Sequence, residues 1–270
     1  MSSFTITHTA TESDFKFNLL PPIRLNPNKK YEAALLSINL YNSIPNITEE
    51  NNTFKYSTDS GKNWKLITLN KGSYEIQAIN DEIQRQMIIN GDYDDANNEF
   101  YITLSVDIPE LKSIINITNK TYLVNFLVEN SIGPTLGFYY GVLWHGKIGF
   151  GFNKSPHIVD ITKINLVLIN VDIISGSYVN GYQSPCIYSF DPNKVSPGYK
   201  LEDRPNPSLT YYPVNRESIN SLRIWLTDQN NKLVDLRGER VTIKIRIREV
   251  INVKHEIKRA ILELKKENIL

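Results

Sequence analysis

The sequence predicts an all-β protein, a sandwich or barrel of antiparallel strands, with one internal helix and a helical C-terminal tail. Three observations predict this class. Short runs of alternating apolar and polar residues recur along the 270-residue chain, turn-forming residues separate these runs, and only two segments space their apolar residues as a helix does. Many short strands with few helices are typical of antiparallel sandwiches and barrels.

The strand-like runs are rich in β-branched and aromatic residues. One of them, Tyr31–Ile44, is long enough for a central strand, and the turn-rich stretch Ser57–Trp64 joins two others in a predicted hairpin. In chain order the predicted strands are Phe15–Leu19, Tyr31–Ile44, Thr53–Tyr56, Lys65–Leu69, Phe100–Val106, Ile114–Ile117, Tyr122–Val128, Asn165–Ile174, Cys186–Phe190, Leu222–Leu226 and Val241–Ile247.

Two segments have helical spacing. The internal helix is predicted over Ser73–Met87, with Ser73 as N-cap, and the segment Asn90–Asp95 ends it. The second helix is predicted over Val253–Lys266. The apolar stripes of the two helices are Ile76, Ile79, Ile83 and Met87, and Val253, Ile257, Ile261 and Leu264.

The domain organisation is predicted to be simple. The chain has no repeat of fixed period, no low-complexity linker and no shift in composition, and it is 41% hydrophobic, enough to bury a sizeable core. We therefore predict one domain over residues 1–250, with a helix-bearing excursion at about residues 50–95, and a helical tail over residues 251–270.

The composition argues against several classes of function. The 30 Lys+Arg and 29 Asp+Glu leave a net charge of +1, which argues against a dedicated nucleic-acid binder. The N-terminus lacks the basic and apolar regions of a signal peptide, and no apolar run reaches the roughly 18 residues of a membrane helix, so we expect no membrane partner. The single cysteine, Cys186, excludes an intrachain disulfide and fits a reducing compartment.

A near match to the phosphate-binding loop G-x-x-x-x-G-K-[ST] occurs at Gly141–Ile148. The motif needs a hydroxyl at the last position to hold magnesium, where this chain has Ile148, and it must open a helix. The sequence GFGFN follows instead. We interpret this segment as a loop at a strand end.

The segment Ser57–Trp64 matches S-x-D-x-G-x-x-W, the Asp-box pattern of sialidase-type propellers. A propeller would carry several copies, and this chain has one. The pattern describes a tight hairpin turn, in which Asp59 accepts bonds from turn amides, Gly61 supplies a left-handed dihedral and Trp64 packs over the turn. We therefore predict a structural turn and no sugar chemistry here.

No catalytic or metal constellation is apparent. Cys186, His157 and Asp191 could form a thiol-protease set, but no spacing requires it, and a lone Cys in a strand is more often a small buried hydrophobe. The four histidines are scattered, without H-x-H or H-E-x-x-H pairs. We expect no enzyme activity, no metal and no cofactor.

The last predicted strand carries a row of cations on one face, which we call the cationic ladder: Lys244, Arg246 and Arg248. Val241, Ile243, Ile245 and Ile247 alternate with them and should face the core. Three interpretations of the ladder are open: a solvated face, pairing with carboxylates of a neighbouring strand or subunit, or nucleic-acid contact.

Four segments, taken in order, carry a resemblance: FKYSTDSGKNWKLITLNKGSYEIQAINDEI (Phe54–Ile83), PTLGF (Pro134–Phe138), YYPV (Tyr211–Val214) and INSLRIWLTDQNNKLVDLRGERVTIKIRIREV (Ile219–Val250). Together they resemble the penton, or minor capsid, proteins of Polinton/Maverick elements and adintoviruses, and more distantly those of virophages. The resemblance implies a single jelly-roll β-sandwich of about eight antiparallel strands, to which the internal helix and the helical tail are additions.

The resemblance also implies a structural function. Five copies would form the vertex of an icosahedral capsid of a double-stranded DNA element, beside a double-jelly-roll major capsid protein, in a virion assembled inside the host cell. The cationic ladder would then lie at a subunit interface. The alternative is a lectin-like module whose aromatic residues Trp64, Tyr139, Tyr140 and Trp144 grip a sugar.

Overall fold

The computed structural model describes residues 3–139, 146–205 and 208–250. These residues form antiparallel strands, one α-helix, α1 (Ile76–Ile89), and a short 3₁₀ helix (Pro192–Lys194). The strands are β1 Ser3–Ala10, β2 Asp14–Arg24, β3 Tyr31–Tyr41, β4 Thr53–Ser57, β5 Lys65–Thr68, β6 Ile102–Asp107, β7 Lys112–Ile117, β8 Leu123–Asn125, β9 Lys147–Ile148, β10 Gly151–Lys154, β11 Val167–Val171, β12 Ser177–Val179, β13 Tyr182–Ser184, β14 Cys186–Phe190, β15 Lys200–Asp203, β16 Tyr212–Pro213, β17 Ser218–Asp228 and β18 Val241–Glu249. The predicted all-β class is confirmed.

The chain divides into two compact units. The first unit comprises the described residues of segments 1–41, 166–192 and 200–270, and the second comprises those of segments 42–165 and 193–199. The division into one domain over 1–250 and a tail over 251–270 stays a prediction, and the predicted helical tail lies outside the described residues.

The first unit is a jelly roll. Its first sheet has the strand order β1-β18-β3-β15, with β16 also paired to β3, and its second sheet has the order β14-β11-β17-β2. All these pairs are antiparallel. The chain crosses repeatedly from one sheet to the other. Apart from β16, this gives eight strands in two sheets, which is the jelly-roll arrangement.

The core of the first unit lies between the inner faces of these sheets. The ring of His8 on β1 stacks on that of Phe17 on β2, with centroids 3.8 Å apart, so the two sheets meet at this edge. On β18 the four predicted core residues are all at most 1% exposed: Val241, Ile243, Ile245 and Ile247. The predicted alternation of this strand is therefore confirmed.

The second unit has its own hydrophobic core. Its strands form the sheets β5-β4-β8-β9 and β10-β7-β6, and α1 buries Ile79, Ile83 and Met87 in a cluster with side chains from both sheets. The predicted hairpin around the Ser57–Trp64 turn is the antiparallel pair β4 and β5.

The predicted N-cap of α1 is wrong. The helix begins after Glu75, which caps it without a side-chain hydrogen bond. Ser73 instead donates its hydroxyl to the carbonyl oxygen of Ile44. The amide of Tyr74 donates to Asn46 Oδ1 over 2.8 Å, so residues 73 and 74 are tied to the preceding segment and the helix starts later.

Candidate functional site

The candidate site is the outer face of the first sheet, which carries the cationic ladder. Strand pairing sets β18 between β1 and β3 and fixes the rows across this face. Each row holds a residue of β1, then one of β18, then one of β3: Ser3, Arg248 and Glu32; Thr5, Arg246 and Ala34; Thr7, Lys244 and Ser37; Thr9, Thr242 and Asn39. The face is thus hydroxyl-rich on β1 and cationic on β18.

Arg248 has its partners within the chain. Its Nε lies 2.6 Å from Oε1 of Glu32, and its guanidinium carbon lies 3.5 Å from the ring centroid of Tyr211. The sequence showed the cation but neither partner, because the register between β18 and β3 cannot be read from either strand alone.

Arg246 and Lys244 differ from Arg248. No ion pair of either cation is found among the described residues. Lys244 is exposed between Thr7 and Ser37. Arg246 lies beside Ala34, and its Nε is buried without a hydrogen-bond partner.

A second unsatisfied atom lies on the same face. In the described part of the chain, the buried side-chain polar atoms without a hydrogen-bond partner are Nε of Arg246 and Oδ1 of Asn39. A buried polar atom left unpaired costs about 1–3 kcal/mol. The polar groups of the outer face are therefore incompletely satisfied within one chain.

The Asp59 turn is held by a local hydrogen-bond network. Asp59 accepts the backbone N–H of Asn63 over 2.8 Å and the hydroxyl of Ser57 over 2.7 Å. These hydrogen bonds lower the pKa of Asp59 to about 2, and the bond from the Asn63 amide contributes most. Gly61 has φ +86°, and a Cβ there would lie 3.4 Å from the Trp64 ring. The ammonium of Lys147 lies 5.6 Å from that ring's centroid.

The phosphate-loop segment is only partly described. Residues 140–145 lie outside the described residues. Lys147 and Ile148 form β9, which pairs with β8, and β10 follows at Gly151. The described end of the segment thus continues into strands, whereas the phosphate motif needs a helix there.

The thiol candidates have other contacts. Cys186 lies in the first unit, is 6% exposed, and its Sγ is 3.2 Å from the carbonyl oxygen of Tyr188. Burial raises the pKa of its thiol. His157 lies in the second unit and stacks on Tyr139, with ring centroids 3.8 Å apart. Within the described ranges no group of three or more His, Cys, Asp or Glu could hold a metal ion.

The aromatic residues of the lectin alternative are only partly described. Trp64 packs on the Asp59 turn and Tyr139 on His157, whereas Tyr140 and Trp144 lie outside the described residues. None of the helices described here is long and apolar enough to cross a membrane.

Comparison with known proteins gives a similarity at the level of structure. No protein-family model matches the chain, and no curated protein matches it. Among solved structures, the chain is similar to the mavirus penton protein, with 10% sequence identity and a TM-score of 0.48, over 92% of this chain and 100% of that one. The jelly-roll assignment itself stands on the strand pairing of this chain.

Proposed function

We propose that this chain is a structural capsid protein, five copies of which form the vertex of an icosahedral capsid. The observation that carries the proposal is the first unit, in which two sheets, apart from the added strand β16, have the eight-strand order of a jelly roll. A fold alone does not define a function. The proposal therefore also draws on the resemblance of the four segments named above to Polinton/Maverick and adintovirus pentons. The chain would act in the virion beside a double-jelly-roll major capsid protein, without enzymatic activity.

The outer face of the first sheet is our candidate for the subunit interface. In a ring, one face of each copy meets a different face of the next, and complementary charge sets register and specificity. Lys244 and Arg246 have no described carboxylate within the chain, so they are available to a neighbour. Arg248 would take part less, because Glu32 already neutralises it.

The surface of the next copy that faces Lys244 and Arg246 must then supply carboxylates. Glu12 and Glu239 are exposed and have no described ion pair. Glu12 follows the end of β1 and Glu239 precedes the start of β18, and these strand ends are adjacent because Ala10 pairs with Val241. We assign these two carboxylates as partners for Lys244 and Arg246 of the next copy.

The test is the charge reversal Lys244→Glu/Arg246→Glu in the full chain. Sedimentation velocity and native mass spectrometry should give pentamers for the wild type and a shift to monomers for the reversal, since like charges facing across an interface oppose association. Urea unfolding of the monomer should change by no more than about 1 kcal/mol, because Lys244 is exposed, Arg246 is half-buried, and neither has an ion pair among the described residues to lose.

Two further variants sharpen this test. The matched control is Lys16→Glu/Arg24→Glu, the same charge change on exposed residues of β2 in the other sheet, which should still form pentamers. Adding Glu12→Lys/Glu239→Lys to the first reversal should restore association. A wild type that stays monomeric at high concentration contradicts the capsid proposal. Pentamers that tolerate the Lys244/Arg246 reversal contradict only the interface assignment.

A further inference from the structure

A polar groove lies within the first unit, on the outer face of the second sheet. Its volume is about 560 Å³, within the range of about 300–1,000 Å³ that is typical of small-molecule sites. Strands β11 and β17 form its floor, and the β12–β13 hairpin and the loop after β17 form its walls. The lining residues are Asn170, Val179, Asn180, Tyr182, Gln183, Ser184, Pro185, Trp225, Thr227, Gln229, Asn230 and Asn231.

The chemistry of this lining is neutral. None of the lining residues is Asp, Glu, Lys, Arg or His, and six of them are Asn or Gln. A side-chain amide both donates and accepts hydrogen bonds, as a sugar hydroxyl does. A phosphate or carboxylate ligand would find no opposite charge here. The groove therefore fits an uncharged ligand with many hydroxyl groups.

The floor of the groove is held in place by hydrogen bonds. Asn170 is 3% exposed. Its Nδ2 donates to the hydroxyl of Thr227 over 3.2 Å and to the carbonyl oxygen of Trp225 over 3.3 Å. Its Oδ1 accepts the hydroxyl of Ser184 over 3.4 Å. Because the amide contacts both sheet and hairpin, it connects the floor to one wall.

The walls are tight turns. The hairpin turns at Asn180 and Gly181, both with positive φ, as a two-residue hairpin loop requires. On the other wall, Oδ1 of the buried Asp228 accepts the amides of Asn230 and Lys232 over 2.8 and 2.9 Å. The exposed amide side chains therefore stand on fixed backbone, which lowers the entropy lost when a ligand binds.

Two aromatic rings complete the groove. Trp225 is partly buried on the sheet, and the guanidinium of Arg223 stacks on it at 4.9 Å from the ring centroid. Asp14 holds that guanidinium with a 2.6 Å ion pair. Tyr182 on the hairpin is 80% exposed. An aromatic ring offers an apolar body and a polar edge, a combination that suits the C–H face and the hydroxyls of a pyranose.

We propose that this groove binds a neutral oligosaccharide. The site goes beyond the vertex function and does not depend on it, since every lining residue belongs to the first unit. The groove is also distinct from the sugar site of the lectin-like alternative considered in the sequence analysis, because none of Trp64, Tyr139, Tyr140 and Trp144 lines it.

The test uses the full chain with a panel of neutral trisaccharides (N-acetylglucosamine, mannose, glucose and galactose oligomers) and sialyllactose as the charged probe. Saturation-transfer NMR and calorimetric titration should detect binding of at least one neutral sugar. Tyr182→Ala and Asn230→Ala should each weaken it by about tenfold or more, which corresponds to about 1.4 kcal/mol.

The matched control is Tyr178→Ala. Tyr178 lies on the facing strand of the same hairpin, is 69% exposed and does not line the groove, so its loss should leave binding unchanged. The Lys244→Glu/Arg246→Glu chain should also bind normally, which separates this site from the assembly proposal. Absence of binding across the neutral panel, a preference for sialyllactose, or equal losses in the Tyr178 and Tyr182 variants would each overturn the proposal.

Discussion

Arg248 on β18 forms an ion pair with Glu32 on β3, with Nε and Oε1 2.6 Å apart, although 216 positions separate the two residues in the chain. Strand pairing brings them together, and Tyr211 packs on the guanidinium. One of the three ladder cations is thus neutralised within the chain, and the other two have no carboxylate partner among the described residues.

The ion pair should stabilise the first unit modestly. The two side chains are 42% and 21% exposed, so we expect Glu32→Gln to lower the free energy of unfolding by up to about 1 kcal/mol. The loss should shrink at high salt, where exposed charges are screened. Urea denaturation at low and high salt measures both effects. Glu202→Gln is the control, since its pair with Arg204 is more exposed, at 41% and 70%. An equal loss in the control contradicts this ranking.

The Asp59 turn should make unfolding depend on pH. Its pKa is lowered to about 2 in the folded chain from a usual value of 3.8, so the unfolded chain binds more protons between these values. The stabilisation is fully present above about pH 4 and is lost as the pH falls towards 2. Asp59→Asn should make the free energy of unfolding depend less on pH in that window.

The Asp59→Asn variant should keep part of the pH dependence of its free energy of unfolding. Asp94 accepts a hydrogen bond from Tyr101, which lowers its pKa to about 2 as well, so this carboxylate keeps its own contribution. Unfolding measured at intervals from pH 2 to 5 tests the effect, with the exposed Glu49→Gln as control. An Asp59→Asn profile that overlays the wild type would show that the turn does not carry the linkage.

The thiol of Cys186 should be unreactive in the folded protein. It is buried, and burial raises its pKa, whereas reactive thiols are exposed and have lowered pKa values. Labelling with an aromatic disulfide reagent should proceed only as fast as the chain opens, and it should accelerate in urea. Cys186→Ala should cost about 1 kcal/mol without loss of fold. Immediate stoichiometric labelling of native protein would contradict the buried environment.

The apolar face of β18 should dominate its contribution to stability. Ile245 is 1% exposed, so Ile245→Ala should lower the free energy of unfolding by about 2–5 kcal/mol through lost burial and the cavity it leaves. The adjacent Lys244→Ala, on the exposed face, should change it by about 0.5 kcal/mol or less. Thermal or urea unfolding of both variants is the measurement, and comparable losses would mean that the strand register is different.

Local periodicity accounts for what could be predicted. The alternation from Val241 to Ile247 determines which side chains enter the core, because a strand points successive residues to opposite faces. The helical stripe of Ile79, Ile83 and Met87 and the turn residues before Trp64 could be predicted for a similar reason. The residues of each pattern lie within a few positions of one another in the sequence.

Other local features could not be predicted because distant pairing decides them. The strand Ser3–Ala10 is mostly polar on one face and short of apolar residues, and it is a strand because β18 offers a free edge for its hydrogen bonds. Ser73 has the residue type of an N-cap, but its hydroxyl bonds the carbonyl of Ile44, so a tertiary contact outweighs its intrinsic preference.

The sequence by itself determined the strand class, the buried face of β18, the hairpin around Ser57–Trp64 and the presence of the internal helix, since these depend on local side-chain spacing and turn residues. The tertiary structure decided which strands pair, which ladder cation meets a carboxylate, and where the polar groove forms. That groove unites Asn170, Tyr182 and Trp225 from three separate segments. Such groupings follow from sheet order and register, which arise when the whole chain closes its hydrogen bonds and buries its apolar faces at once.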